Sequence, residues 1–334
     1  MKITANKKNL KNYQSYLKVE EATNDFLKSR GYLKMDLPVL SPVLIPESYL
    51  EIFKTEFNYF KTRIPLFLTP SPELFLKRLL AENIGNCYYL GKCFRNSEPN
   101  SSLHLPEFTM LEYYKVNTDY LEFGNEVLEL LRNIAIKLTG YDEISYNGKK
   151  VSFAEWEKYT VEEAFLKFSG IRADELLNES LFLKKAAGKG YETAGFSYED
   201  LFSQIIAQEI EPKLGKNGRP TLLYGYPPKM ASLARLSPDQ SVAMRAEFYI
   251  DGMEIGGFCR ELTDWKEQEK RFIEQEKKRQ KAGLTAHTID KGFIEALKYG
   301  LPDCTGAGIG FDRLAMIFAD VDSINKLKLI EIKK

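Results

Sequence analysis

Histidine is scarce in this chain: His104 and His287 are the only two among 334 residues. A zinc centre would have to draw on those two and on four cysteines, Cys87, Cys93, Cys259 and Cys304, none of which stands in CxxC spacing. The cysteines read instead as small buried residues. Net charge is missing as well, with 47 basic residues against 47 acidic, so no global field draws the chain to nucleic acid or to an anionic membrane. No apolar run reaches the roughly 18 residues that span a bilayer, and the opening Met-Lys-Ile-Thr-Ala-Asn-Lys-Lys lacks the apolar segment of a signal peptide. A cytoplasmic protein without membrane attachment is expected. Apolar mass, by contrast, is plentiful: 44% hydrophobic and 13% aromatic residues suffice for a packed core in one large domain or two.

Periodicity organises the chain. Leu17, Val19, Ala22, Phe26 and Leu27 recur near helical spacing between Tyr13 and Arg30, and Gly31 suits a stop. Tyr32 to Leu40 reads as a strand in which Pro38, having no N–H, belongs at an edge or interface. Ser71 can cap a second helix from about Pro72 to Ala81. Strands Cys87–Arg95 and Glu107–Val116 form a long hairpin around a polar loop. The residues from about 120 to 213 read as mostly helical and as an insertion in a single domain covering 1–334. Strand character returns from Thr221, with a two-residue turn at Asp251-Gly252. Asp264 to Ala282 is a highly charged helix, and Gly306 to Phe318 a glycine-rich turn entering a last helix. Strands interrupted by helices without regular βαβ alternation predict an α+β fold, an antiparallel sheet with helices packed on it.

Chemistry gathers in three places. Along the second hairpin strand, Phe108, Met110, Glu112 and Tyr114 share one face because strand side chains alternate. That face offers an aromatic plane at one end and an amine-binding carboxylate with a phenol at the other. Across the Asp251-Gly252 turn, Glu254 pairs opposite Tyr249, on the same face as Glu247, so the two glutamates are diagonal neighbours. They suit a Mg²⁺ carried in by nucleotide phosphates, or are two solvated carboxylates. Arg95 ends one strand and Arg313 follows Gly306, Gly308 and Gly310. Guanidinium groups so placed can stabilise charge built at phosphorus when a carboxylate attacks the α-phosphate of ATP.

Together these segments resemble the catalytic domain of class II aminoacyl-tRNA synthetases in the lysyl/aspartyl subgroup. Pro38 fits the first class motif, Phe94-Arg95 through Glu107-Phe108 the second, and Gly306 to Arg313 the third. Within the subgroup the chain is most similar to the elongation factor P–lysine ligase family. The phrases Ser71-Pro-Glu-Leu-Phe-Leu-Lys-Arg78, Pro106-Glu-Phe-Thr-Met-Leu-Glu112, Ala231-Ser-Leu-Ala234 and Glu261-Leu-Thr-Asp264 carry the likeness. The resemblance implies a homodimer joined through the first motif and an ATP-dependent activation of lysine or a lysine-like amino acid. The aminoacyl group then passes to a protein lysine, as on elongation factor P. It further implies that Arg95 and Arg313 are catalytic and hold phosphates. Asn96, Glu98, His104, Phe108, Glu254, Ile255 and Gly310 line the ATP site, and Glu247 and Glu254 bind Mg²⁺. Ser71, Pro72, Glu73, Glu112, Tyr114, Arg260, Glu261 and Gly308 shape the amino acid pocket. The first helix begins within about a dozen residues, too short a lead for a five-stranded anticodon-binding OB-fold, so tRNA is not the expected acceptor.

The likeness has departures. Ser97 stands where the family has an adenine-contacting Glu, with Glu98 following, and Leu105 replaces an Asn. The usual Asn-Gly-Phe is Gly257-Phe258-Cys259, followed by Arg260. Gly308 takes a position where the protein-modifying enzymes tend to have Ala. Two alternatives stay open at this stage: an adenylating ligase with another amino acid and a carrier, small-molecule or tRNA acceptor, and a non-catalytic paralogue acting as a regulator.

Overall fold

The computed structural model describes residues 2–97 and 101–333, and the chain divides into two compact units. The first comprises residues 1–119, 145–148 and 261–334; the second comprises 120–144 and 149–260.

In the first unit, the helix Leu10–Ser29 buries Val19, Ala22, Phe26 and Leu27. It stops at Gly31, whose φ of 79° is open to glycine at no steric cost. Gly31 N–H reaches Lys28 O at 3.0 Å and Tyr32 N–H reaches Leu27 O at 3.1 Å, the paired bonds that close a helix C-terminus. The sheet of this unit centres on Glu107–Val116, flanked by antiparallel Cys87–Phe94 and Cys304–Gly310, with Leu33–Lys34 parallel to the outer edge of Cys87–Phe94. The single strand expected over Tyr32–Leu40 is only Leu33–Lys34 and Leu40–Ser41; Pro38 lies in the gap and has no N–H for a ladder.

The glycine-rich stretch is also different from the expectation. Gly306, Gly308 and Gly310 lie in a strand, paired opposite Tyr114, Glu112 and Met110, and the helix Phe311–Phe318 starts directly after it. Glycine is a weak strand former, but here space demands it: a Cβ on Gly306 would lie 2.3 Å from the Tyr114 ring and 2.8 Å from Glu261 Oε1. A three-stranded sheet of Leu40–Ser41, Lys54–Tyr59 and Thr62–Leu68 had no counterpart in the sequence reading.

The second unit opens on the helix Tyr120–Thr139. Its strands run Glu157–Thr160, parallel to Thr221–Tyr226, then antiparallel Ala243–Ile250 and Met253–Arg260. Asp251 and Gly252, at φ 50° and 78°, make the tight hairpin turn that matches strand twist. Ile255 is an extra residue in this hairpin, since Tyr249 faces Glu254 while Phe248 faces Gly256. Phe165, Phe182, Tyr198, Phe202, Ile205 and Leu223 form the core beneath the sheet.

Candidate active site

The first unit contains a buried pocket of opposite charges. The helix Glu73–Ala81 begins where Ser71 Oγ accepts from Glu73 N–H at 3.2 Å, with Pro72 at the cap position, so Glu73 projects from the first turn. One turn on, Lys77 is ion-paired to Glu73 and, at 2.7 Å, to Glu261 Oε2. Lys77 is 1% exposed and Glu261 3%, so water screens this pairing little. Glu261 is held by its own backbone, whose N–H donates to Cys304 O at 2.9 Å.

Glu112 lies on the same sheet face as Gly308, its cross-strand neighbour. Tyr114 Oη donates to Glu112 Oε1 at 2.8 Å. Burial pushes the Glu112 carboxyl well above the usual carboxylate range, and Glu73 adds to the rise. Burial and then Glu112 push the Tyr114 phenol up as well, so it stays a hydrogen-bond donor. The structure thus joins Glu73, Glu112, Tyr114 and Glu261 in one environment, and it adds Lys77, which was not singled out, and Gly306, which was read as part of a glycine-rich turn. Both lay in phrases already quoted, but Glu261 beside Lys77 and the Tyr114 ring against Gly306 are distant in sequence.

The residues of the same unit that were expected to meet the nucleotide have the following surroundings. The Arg95 guanidinium lies 5.2 Å from the Phe108 ring centroid, so Phe108 offers that face to an arginine. Asn96 N–H donates to Glu51 O at 2.9 Å, and its amide reaches Ile52 O at 3.5 Å. Arg313 Nη2 lies 2.8 Å from His104 Nε2, and Arg313 Nε donates to Leu103 O at 3.3 Å. A guanidinium only donates, so His104 Nε2 accepts and the imidazole proton sits on Nδ1, which faces Ser101 Oγ at 3.3 Å. Gly310 caps the helix that carries Arg313. Glu98 lies outside the described residues.

In the second unit, Glu247 and Glu254 share a face of the hairpin. Glu247 Oε2 accepts from Tyr226 Oη and Tyr249 Oη, each at 2.6 Å, and Oε1 accepts from Arg245. Arg245 also lies 4.5 Å from the Tyr226 ring centroid. Its place two residues before Glu247 on one strand was legible from period two, yet it was not singled out. Gly257, opposite Glu247, leaves that side chain room: a Cβ there would lie 3.2 Å from Glu247 Cγ. The pair fits Mg²⁺, because carboxylate oxygens have lone pairs beyond these bonds and this ion commonly takes one or two carboxylates with nucleotide phosphates. Among the described residues no group of three or more His, Cys, Asp and Glu side chains is arranged to hold a metal. Ile255 is 1% exposed, so its side chain is committed to the core and any nucleotide contact falls to its backbone. The Arg260 carbonyl accepts from Arg235 N–H at 2.8 Å.

A family model described as tRNA synthetases class II (D, K and N) matches residues 1–330. The chain belongs to this family. Curated relatives agree over nearly its full length. The elongation factor P–(R)-β-lysine ligase of Hamiltonella defensa is 33% identical over 316 residues, 92% of this chain and 91% of the relative. The protein of the same name from Yersinia enterocolitica is 35% identical over 307 residues, covering 90% and 88%. That from Haemophilus influenzae is 35% identical over 325 residues, covering 95% and 93%. Within this class II family the chain has the α+β architecture expected of it, with a predominantly antiparallel sheet and flanking helices. No helix among the described residues is long and apolar enough to cross a membrane.

Proposed function

We propose that the chain is an ATP-dependent amino acid ligase that activates a lysine-type amino acid, (R)-β-lysine foremost, and transfers it to a lysine side chain of elongation factor P. The observation that carries this reading is the cluster of Glu73, Glu112 and Glu261 with Lys77, three carboxylates of which Glu112 and Glu261 are buried, suited to receive a substrate's ammonium group. The activity for which the relatives are named points the same way.

Under this reading the substrate carboxylate attacks the α-phosphorus of ATP, the bond to the β-phosphate oxygen breaks, and pyrophosphate leaves. The acceptor amine then attacks the adenylate carbonyl carbon, an amide forms, the amine loses a proton, and AMP departs. Arg95 and Arg313 offset charge on the phosphates, a task of position rather than proton transfer. His104 and the Leu103 carbonyl orient Arg313. Glu247 and Glu254 would hold Mg²⁺, which when bound would neutralise phosphate charge. The Tyr226 and Tyr249 phenols fix the Glu247 rotamer. We further infer a cytoplasmic homodimer joined through the Pro38 segment, a reading that the exposed Leu33, Leu40 and Ile64 of that unit support.

Amino-acid-dependent ATP–pyrophosphate exchange tests the first half-reaction. Exchange with β-lysine or α-lysine is expected. Exchange with only an unrelated amino acid would overturn the substrate assignment, and none with any amino acid would overturn the ligase reading.

A further inference from the structure

The strand Cys304–Gly310 pairs with Glu107–Val116 only as far as Met110, so the Thr109 N–H falls beyond the end of that ladder. Asp312 Oδ2 accepts from it at 2.8 Å. Asp312 stands in the first turn of the helix Phe311–Phe318, where a carboxylate suits the helix dipole. It is the immediate neighbour of Arg313, as Thr109 is of Phe108. One buried carboxylate therefore ties the strand that carries Phe108 to the helix that carries Arg313.

A carboxylate so deep is strongly disfavoured unless a cation accompanies it. That cation comes from the C-terminal segment: Lys328 Nζ lies 2.6 Å from Asp312 Oδ1 and 5.3 Å from the Tyr16 ring centroid. Tyr16 Oη in turn donates to Thr109 Oγ1 at 3.2 Å. The same segment meets the loop that precedes the strand, where Ile324 N–H donates to Ser102 O at 2.9 Å and Asn325 Nδ2 to Ser101 O at 3.4 Å. Ser101 Oγ accepts from His104 N–H at 3.1 Å, and His104 accepts from Arg313. The segment is itself fastened to the start of the first helix. Asn9 Nδ2 donates to Lys328 O at 2.8 Å and to Asn325 O at 3.1 Å, and Asn6 N–H donates to Leu329 O at 2.7 Å. Ile324 and Leu327 are buried beneath it.

Building on the ligase reading, in which Phe108 lines the nucleotide site and Arg313 holds phosphates, we propose that the C-terminal segment Ile324–Leu329 braces the ATP site, with Asp312 and Lys328 as positioning residues. Lys328 holds the Asp312 carboxylate in place, and Asp312 sets the separation between Phe108 and Arg313. Ile324 and Asn325 hold the loop whose His104 orients Arg313. ATP spans that separation from its base to its phosphates, so a loosened brace weakens its grip at both ends. The amino acid pocket is built on other elements, the helix Glu73–Ala81 and the stretch of strand from Glu112 onward, and feels the change less.

The test is steady-state ATP–pyrophosphate exchange with β-lysine and α-lysine by the full chain and its variants. Lys328→Met should raise KM for ATP about ten- to a hundredfold, the order of loss when a substitution away from the chemistry misplaces a group by about 1 Å, and should move KM for lysine far less. Lys328→Arg, which keeps a cation against Asp312, should recover most of the ATP affinity. An unchanged KM for ATP in Lys328→Met, equal rises in both constants, or equal losses in the Met and Arg variants would overturn the brace while leaving the ligase reading in place. Asn9→Ala loosens the segment from outside the site and leaves Lys328 and Asp312 untouched, so it decides the matter should Lys328→Met fail to fold. It should show the same ATP-selective rise in milder form, and a wild-type KM for ATP there would overturn the proposal. Absence of exchange in the wild type with any amino acid would overturn the ligase reading and the brace with it.

Discussion

Lys77 Nζ lies 2.7 Å from Glu261 Oε2, joining the helix Glu73–Ala81 to the segment that follows the strand Met253–Arg260. Both side chains are almost wholly buried. Removing the cation takes a shared partner from Glu73 and Glu261, and breaking a buried pair this way costs about 3–5 kcal/mol. Lys77→Met should therefore lower the denaturant midpoint without changing the slope. An unchanged midpoint would mean that solvent or a neighbouring group already compensates the glutamates.

Gly306 tolerates no side chain. With a Cβ 2.3 Å from the Tyr114 ring and 2.8 Å from Glu261 Oε1, Gly306→Ala must displace both. Overpacking of this kind costs about 1–3 kcal/mol, and the displaced pocket should raise KM for the amino acid more than KM for ATP. Equal effects on both constants would contradict the assignment of this strand to the amino acid pocket. Gly308→Ala, by contrast, meets nothing within 4 Å and should leave stability unchanged.

Arg313 and His104 form a donor–acceptor pair at 2.8 Å. Arg313→Ala should reduce adenylate formation by about a hundred- to a thousand-fold, the loss typical of removing one charge-stabilising donor, with the thermal midpoint preserved because the side chain is only partly buried. His104→Gln, which keeps an acceptor, should retain far more activity than His104→Leu. Equal losses in the two would show that the imidazole acts by something other than accepting from Arg313.

The pH dependence of the ligand-free protein follows from two raised carboxyls, Glu112 and Glu47, each pushed up mainly by burial. A raised folded-state value means that their contribution is complete below the ordinary carboxylate pKa of about 4.3 and is lost as pH rises through the folded-state value. Glu51 and Glu157, lowered by hydrogen bonds that outweigh their burial, act oppositely: their contribution is present above the ordinary value and lost as pH falls. The thermal midpoint should thus peak in mildly acid solution and decline towards neutrality. A midpoint rising steadily to neutrality without ligand would contradict this.

The sequence made some of this structure legible for local reasons. The Gly31 stop, the Ser71-Pro72 helix start and the Asp251-Gly252 turn depend on a few adjacent residues, and each is where its chemistry put it. Period two placed Glu112 with Tyr114 and Glu247 with Glu254. The strand at Gly306–Gly310 was not legible, because its glycines argue for a turn until the Tyr114 ring that excludes side chains is in view. Lys77 shows the same limit: its Glu73 partner is four residues away, whereas Glu261 comes from the far end of the chain and only folding brings it near.

The most direct test of the account is the intact mass of elongation factor P after incubation with the protein, ATP, Mg²⁺ and (R)-β-lysine. A gain of one lysyl residue, dependent on ATP and lost with Arg313→Ala, is the predicted result. Lysine-dependent ATP–pyrophosphate exchange accompanied by an unmodified elongation factor P would contradict it and assign the activated amino acid to a different acceptor.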